Sequence, residues 1–433
     1  MRKAMLRLLV LITSSLPLLV QGADLTDLYD RAKRSDPQLR AAVAAREAAR
    51  EGSKQSRALL YPDVRFTANV AENDEEGAPS YSSDGWTLSL TQPLYRRDRF
   101  VAVSQSDLAA KQAELEYSAA EQALIVRLSE RYFDVLAAID NLEFAQAEKK
   151  AISRQLDQTK QRFDVGLIAI TDVHEAQARY DLAVAQEIVA QNSLANARIA
   201  LREVTGEFTG DLQALSDKVP LITPQPADVE SWGSSAVGQN PTVAAVRLSA
   251  EAAREEIRRL RAGHYPTLDL VASRNHSDVD GGSLGPRETD STSLSLQLTV
   301  PIYQGGLVTS QTRQAEFSYQ QALEGLEQQV RATDRQARNA YLGVLASISQ
   351  VKALQQALVS SRSALQATEA GFEVGTRTIV DVLNAQRELF RARRDLARAR
   401  YDYVLNSLRL KQAAGILKES DLLLVNSWLT ASR

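Results

Sequence analysis

The sequence predicts a mainly α-helical chain with a small β component, built as two structural repeats. Each repeat sets one β-hairpin between a short leading helix and two very long helices. Three observations predict this: the chain repeats itself once, each half carries two short alternating segments, and the other stretches keep a helical pattern beyond globular length.

The repeat is legible residue by residue. Asp36 and Pro37, then Ala48, Ala49 and Arg50, then Tyr61 and Pro62 return as Asn240 and Pro241, then Ala252, Ala253 and Arg254, then Tyr265 and Pro266. Pro93, Leu94 and Tyr95 return as Pro301, Ile302 and Tyr303. The stretch from Arg162 to Ala183 matches that from Gly371 to Ala392, pairing Phe163 with Phe372, Gly166 with Gly375, Ile170 with Ile379 and Asp172 with Asp381. The offset drifts only from roughly 204 to 209 residues, so insertions are confined to loops and the halves share one fold. The expected organisation is a leader over 1–23, a first repeat over 24–225 and a second over 226–433. The first holds a hairpin at about 63–94 and long helices at about 97–205; the second holds a hairpin at about 267–302, long helices at about 305–415 and a C-terminal periplasmic segment. Pro220, Pro224 and Pro226 mark a seam that suits a linker.

The leader reads as an export signal. Arg2, Lys3 and Arg7 precede an apolar run from Leu8 to Val20, followed by Gln21, Gly22 and Ala23. That run is shorter than the ~20 apolar residues of a bilayer-spanning helix, so cleavage near Ala23 or Asp24 is expected. Beyond it no segment is apolar and long enough to span, and the mean hydropathy is -0.26. Entry into a membrane therefore requires a closed β-barrel. Cysteine is absent, which excludes disulfides, thiol catalysis and an N-terminal lipid anchor. The 51 basic and 54 acidic residues balance, leaving no basic bias toward nucleic acid.

Within each half the helical pattern breaks once. Val64, Phe66, Ala68 and Val70 alternate with polar residues, as do Trp86, Leu88 and Leu90; the second half offers Leu268, Leu270 and Ala272, then Leu294, Leu296, Leu298 and Val300. Polar, Gly-containing loops over 71–85 and 273–292 join them. Alternation alone fits a soluble hairpin as well as a membrane one. The aromatics favour the membrane, because Tyr61, Tyr95, Tyr265 and Tyr303 all fall at the helix-facing end, where an interface girdle sits. Four strands cannot close a barrel, so several copies of the chain must pool theirs.

From Asp98 to Phe163 there is neither proline nor glycine. At ~1.5 Å per residue that stretch runs roughly 100 Å. Leu128, Tyr132, Val135, Ile139 and Leu142 follow coiled-coil spacing, and Ala337, Tyr341, Val344, Ile348 and Val351 repeat it. A two-helix coiled coil satisfies this spacing. Alanines on further faces, at Ala137, Ala138, Ala145 and Ala147, suit helices packed sideways into a curved wall around a duct. Gly166 and Gly375 end apolar-periodic runs and mark the turns from which helices return over about 172–203 and 381–414.

These residues resemble the TolC family of outer-membrane efflux and secretion channels. The most specific stretches are AISRQLDQTKQRFDVGLIAITDV (Ala151 to Val173), PTLDL (Pro266 to Leu270), VPIYQGG (Val300 to Gly306) and EAGFEVGTRTIVDVL (Glu369 to Leu383). The resemblance covers nearly the whole chain after the leader. It implies a homotrimer whose outer-membrane β-barrel, four strands per chain, continues as a long α-helical periplasmic tunnel. The implied partners are a periplasmic membrane-fusion adaptor, an inner-membrane pump of ABC, RND or MFS type, and outer-membrane lipid. By the same resemblance Asp381 supplies an acidic ring at the tunnel mouth, and Arg377 links to Thr171 and Asp172 to hold it closed. Two positions depart from the family pattern. Phe372 stands where a tyrosine hydroxyl joins the closing links, and Asn384 where a second ring aspartate stands, so a looser and less cation-selective mouth is expected.

Other readings stand beside these. Asp172 and Asp381 suit helix caps, and Arg377 alone reads as a solvated surface charge. His174, His264 and His276 are far apart in sequence with no cysteine partners, so no metal site is expected. No nucleotide, cofactor or hydrolase motif appears, and no enzyme is expected. The competing function is a non-conducting periplasmic coiled-coil scaffold or adhesin.

Overall fold

The computed structural model describes residues 23–430 except 75, 77, 78, 208, 209, 217, 283 and 284; all of the expected signal segment but its last residue lies outside them. The first repeat comprises α1 (Leu25–Ser35), α2 (Pro37–Ala58), β1 (Asp63–Asn73), β2 (Tyr81–Tyr95), α3 (Arg97–Asp164), α4 (Ile170–Thr205) and the short β3 (Ala214–Leu215). The second comprises α5 (Val229–Gln239), α6 (Pro241–Arg261), β4 (Thr267–Gly281), β5 (Arg287–Thr299), α7 (Leu307–Glu373), α8 (Ile379–Ala413), α9 (Glu419–Asn426) and β6 (Leu429–Thr430).

Both repeats open by the same local chemistry. Asp36 and Asn240 sit extended before proline, which keeps the preceding residue out of the helix. Each then caps the next helix, Asp36 accepting from the Leu39 N–H at 2.8 Å and Asn240 from the Thr242 N–H at 2.8 Å. Pro37 and Pro241 occupy first-turn positions, where the missing N–H leaves nothing unpaired.

The four long strands form one antiparallel sheet in the order β1-β2-β4-β5. Register aligns Phe66, Leu88, Arg274 and Thr292 across it, with Val64, Leu90, Ala272 and Leu294 one row nearer the helices. One face is thus apolar, and it is bare: Phe66 is 65%, Val70 84% and Leu294 73% exposed. The opposite face carries Arg65, Thr67, Ser89, Ser273 and Ser293, a polar lining. Strands β1 and β5 are outermost, so each leaves an unpaired edge within a single chain. The sequence placed polar loops over 71–85 and 273–292; the ladder instead continues to Asn73, Gly281 and back from Tyr81 and Arg287. Backbone pairing does not need apolar side chains, so the hairpins extend past the apolar band.

Helices α3 and α7 are 68 and 67 residues long. Helix α3 packs on α2, α6, α4 and α8, which matches a wall better than a two-helix coil. Leu128, Tyr132 and Val135 are buried, as are Ala337, Tyr341, Val344, Ile348 and Val351. All but Ala337, which packs with Ala236 and Ala413, join Leu25, Leu28, Leu124, Val404 and Leu408 in the main core, midway along α3. Around that core the chain ends are laced together. The Leu25 N–H donates to Asn426 Oδ1 at 2.9 Å, Asn426 Nδ2 donates to Asp24 Oδ2 at 2.9 Å, and β3 pairs with β6. The proline-rich seam is held here too: the Ile222 N–H donates to the Tyr403 hydroxyl at 2.8 Å, and Trp232 Nε1 donates to the Pro226 carbonyl at 2.8 Å. Burial pushes the Tyr132 and Tyr401 phenols up, and each donates, to the Gln213 carbonyl at 2.7 Å and to Asp140 at 2.5 Å.

Candidate functional site: the helical hairpin tips and the barrel sheet

Both tips reverse through the same turn. The Leu167 N–H donates to the Arg162 carbonyl at 2.9 Å and the Gly166 N–H to Phe163 at 2.8 Å; Thr376 to Gly371 and Gly375 to Phe372 repeat the pattern at 2.8 and 3.1 Å. This pairing needs a left-handed residue, and Gly166 and Gly375 supply it at φ 78° and 77°. The turns push Val165, Leu167 and Val374 into solvent at 70%, 73% and 75% exposure. Val165 and Val374 match one another in the repeat, but none of the three side chains was given a role from the sequence; hydrophobic residues flanking a turn glycine were the available signal.

The second tip is pinned more firmly than the first. Thr378 caps α8, and its backbone N–H and hydroxyl both donate to Asp381 Oδ2 at 2.9 Å while the Asp381 N–H returns to the Thr378 hydroxyl at 3.3 Å. The backbone and hydroxyl donors of Thr378 hold the Asp381 carboxyl below its ordinary range, with Arg377 assisting. Asp381 therefore caps from the third helical position and keeps its charge. At the matching position α4 has Ala169, which has no hydroxyl, so Asp172 lacks this partner.

Phe372 does not stand free at the tip. It packs on a cluster of Ile152, Ala183, Ile379 and Leu383, and the Arg162 guanidinium lies 4.4 Å from its ring centroid. The cluster draws on all four long helices, so it ties one hairpin to the other. Arg377 lies against Gly371, where an added Cβ would meet Arg377 Cγ at 2.8 Å. Among the described residues of one protomer, no hydrogen bond or ion pair joins Arg377 to Thr171 or Asp172. Asn384 is half-buried one turn beyond Asp381.

Above the tip a cavity of about 270 Å³ lies between α3, α4 and α8, lined in part by Phe144, Glu148, Arg179, Arg387, Arg391 and Arg394. Burial pushes the Glu148 carboxyl up, partly offset by Arg394 and Arg387. The arginine run of α8 was the signal for it.

At the other end Tyr95 pairs across from Leu268 at the base of the sheet, and Tyr61, Tyr265 and Tyr303 flank that base at 67%, 46% and 88% exposure. Arg96, where the sheet passes into α3, grips Asp269 with two bonds of 3.1 and 2.6 Å. Near the far end His276 meets Glu288 and Asp290, carboxylates that looked merely scattered in the sequence.

A bare apolar sheet face, two open edges and helices of about 100 Å rise fit one segment of a shared tube better than a soluble scaffold. The model of the family described as "Outer membrane efflux protein" matches residues 28–207 and 232–416.

The chain belongs to the outer membrane efflux protein family.

It is 42% identical over 420 residues to the outer membrane protein TolC of Vibrio cholerae, covering 96% of this chain and 95% of that protein. It is 40% identical over 444 residues to TolC of Escherichia coli, covering 99% and 90%. Among solved structures, the Campylobacter jejuni CmeC outer membrane channel shares the fold with TM-score 0.79 at 16% identity, over 94% of this chain and 90% of that one. As a TolC-type family member, the protein is an outer-membrane exit duct for efflux or secretion, extending into the periplasm and non-catalytic. It works as a homotrimer with a periplasmic adaptor and an inner-membrane pump. The unpaired β1 and β5 edges are what a trimer satisfies, and the scaffold reading falls away. No helix of the described residues is long and apolar enough to cross a membrane.

Proposed function

We propose that the two hairpin tips form the closable entrance of this duct, with Asp381 as its fixed acidic ring and the Phe372 cluster as the clasp between hairpins. The observation that carries the reading is the Thr378–Asp381 capping box, which keeps an exposed carboxylate ionised and in one place at the end of the tunnel wall. Trimer symmetry multiplies that charge by three around one axis. Asn384 leaves the next turn polar but uncharged, so this mouth carries half the acidic charge of one with aspartate at both positions. Thr171, Asp172 and Arg377 sit on the two tips and take part in closure between neighbouring protomers.

The exposed Val165, Leu167 and Val374 then offer the adaptor a small apolar contact at each tip, set by Gly166 and Gly375. At the barrel base, Tyr61, Tyr95, Tyr265 and Tyr303 form the inner membrane-interface girdle. Single-channel recording of the purified trimer in planar bilayers tests the entrance. Asp381→Ala should lower cation selectivity and weaken block by multivalent cations by roughly tenfold. Unchanged block and selectivity would remove Asp381 from the conduction path.

A further inference from the structure

We propose that His276, Asp290 and Glu288 form a binding site for a divalent transition-metal ion, zinc being the probe of choice, on the outward face of the barrel. The β4–β5 register sets Asp290 directly opposite His276, with Glu288 two residues along the same strand and on the same face. His276 Nδ1 lies 3.3 Å from Asp290 Oδ1 and 4.0 Å from Glu288 Oε1. One ligand atom from each residue falls within 4.8 Å of the other two. In a tetrahedral zinc site two ligands each about 2.1 Å from the ion stand about 3.4 Å apart, so closing the set takes on the order of 1–1.5 Å of side-chain movement.

The scaffold suits such a set. Strand backbone holds all three residues, and the Trp86 ring stacks on the imidazole at 5.9 Å and 23°, fixing its plane. The Arg274 guanidinium, which faces the same way, is drawn over the Trp86 ring at 6.0 Å. The imidazole side chain is 24% exposed while the Asp290 and Glu288 side chains are 58% and 67% exposed, leaving open positions for water.

A second feature of the register points the same way. In the next row outward Asp84, Asp278 and Glu288 stand directly opposite one another on β2, β4 and β5. Like charges directly opposite destabilise a ladder, and a bound cation turns that repulsion into attraction. One imidazole among several carboxylates is a donor set accepted by zinc, manganese and nickel. The row shares its face with Val64, Phe66 and Leu88, so the ion sits at the outer rim of the apolar band, where it ties β4 to the edge strand β5.

The test is zinc titration of the full trimer in detergent at neutral pH by calorimetry, with cobalt absorption spectra reporting imidazole ligation. One zinc per chain is expected. His276→Gln and Asp290→Asn should each weaken binding at least about tenfold. His174→Gln and His264→Gln should leave it unchanged, which assigns the imidazole ligand to His276. Absence of zinc binding by the wild-type trimer, or equal binding by His276→Gln, would overturn the proposal and leave His276 as a plain ion-pair partner of Asp290.

Discussion

Replacing Phe372 with alanine should loosen the closed entrance more than any single change at the tip charges. Full burial of a phenylalanine is worth about 3–5 kcal/mol against alanine; Phe372 is half-buried, so roughly 2 kcal/mol of packing on Ile152, Ala183, Ile379 and Leu383 is lost. Loss of the Arg162 guanidinium over its ring adds about 0.5–1 kcal/mol. The sum, about 2–3 kcal/mol per chain, shifts the closed-to-open balance by about 30- to 150-fold. The assay is resting single-channel conductance in planar bilayers, with entry of a large hydrophilic antibiotic into cells as the second readout. Folding should survive, because the nearest buried α7 residue of the main core, Val351, lies 21 residues back along that helix, about 32 Å away. Phe372→Leu keeps most apolar contact and drops the cation contact, so it should shift the balance only about two- to fivefold. Phe372→Tyr should keep the packing, add a donor and lower resting conductance. Intact trimers of Phe372→Ala with wild-type conductance would refute the clasp.

Asn384→Asp should add three charges to the mouth of the trimer and strengthen block by trivalent cations by roughly tenfold, an effect that fades at high salt; unchanged block would place residue 384 off the conduction path. The acid limit of cation selectivity should lie below the ordinary aspartate range. Asp381 has a depressed folded value, so its charge and the cap it makes are fully present above the unfolded value and are lost as pH falls through the folded one. Reversal potentials recorded down to pH 3 check this, and Thr378→Ala should move the loss to higher pH. Ala169→Thr should build at the first tip the capping box that Thr378 builds at the second, stabilising the start of α4 by about 0.5–2 kcal/mol. Hydrogen exchange of the first-turn amides of α4 should slow, and an unchanged rate would show that Asp172 cannot reach a hydroxyl there.

Periodicity carried most of the fold. The 4-3 spacing around Leu128 and Ala337 located both long helices, and alternation around Phe66 and Leu270 located the hairpins, because burial on one face imposes those periods. What periodicity could not convey was where the hairpins end, since Asn73, Tyr81 and Gly281 are held by backbone ladders that leave no apolar trace. It was also silent on the seam near Pro220, whose attachment depends on a tyrosine hydroxyl at Tyr403, far along the chain. At the site, the turn glycines and Asp381 were visible through the repeat itself. Phe372 was visible as a missing hydroxyl but not as the centre of a cluster, because its partners come from four helices distant in sequence. The grouping of His276 with Asp290 was invisible for the same reason: cross-strand neighbours carry no signature until the register is known.

The repeat also shows where the two halves have parted in role. Their tips share a turn glycine at the same φ, the same hydrogen-bond pattern and an aspartate at the third position of the returning helix. They differ at the residue that decides whether that aspartate is held. Thr378 fixes Asp381 with three bonds, whereas Ala169 gives Asp172 only a carbonyl for its N–H, at 3.1 Å, and no donor for its carboxylate, so the α7–α8 tip presents a held charge and the α3–α4 tip a carboxylate without that cap. A closing link between protomers needs one partner that can move and one that stays. In the entrance proposed above, Arg377, folded over Gly371 beside the rigid tip, serves as the fixed cation and Asp172, on the looser tip, as the anion that reaches it.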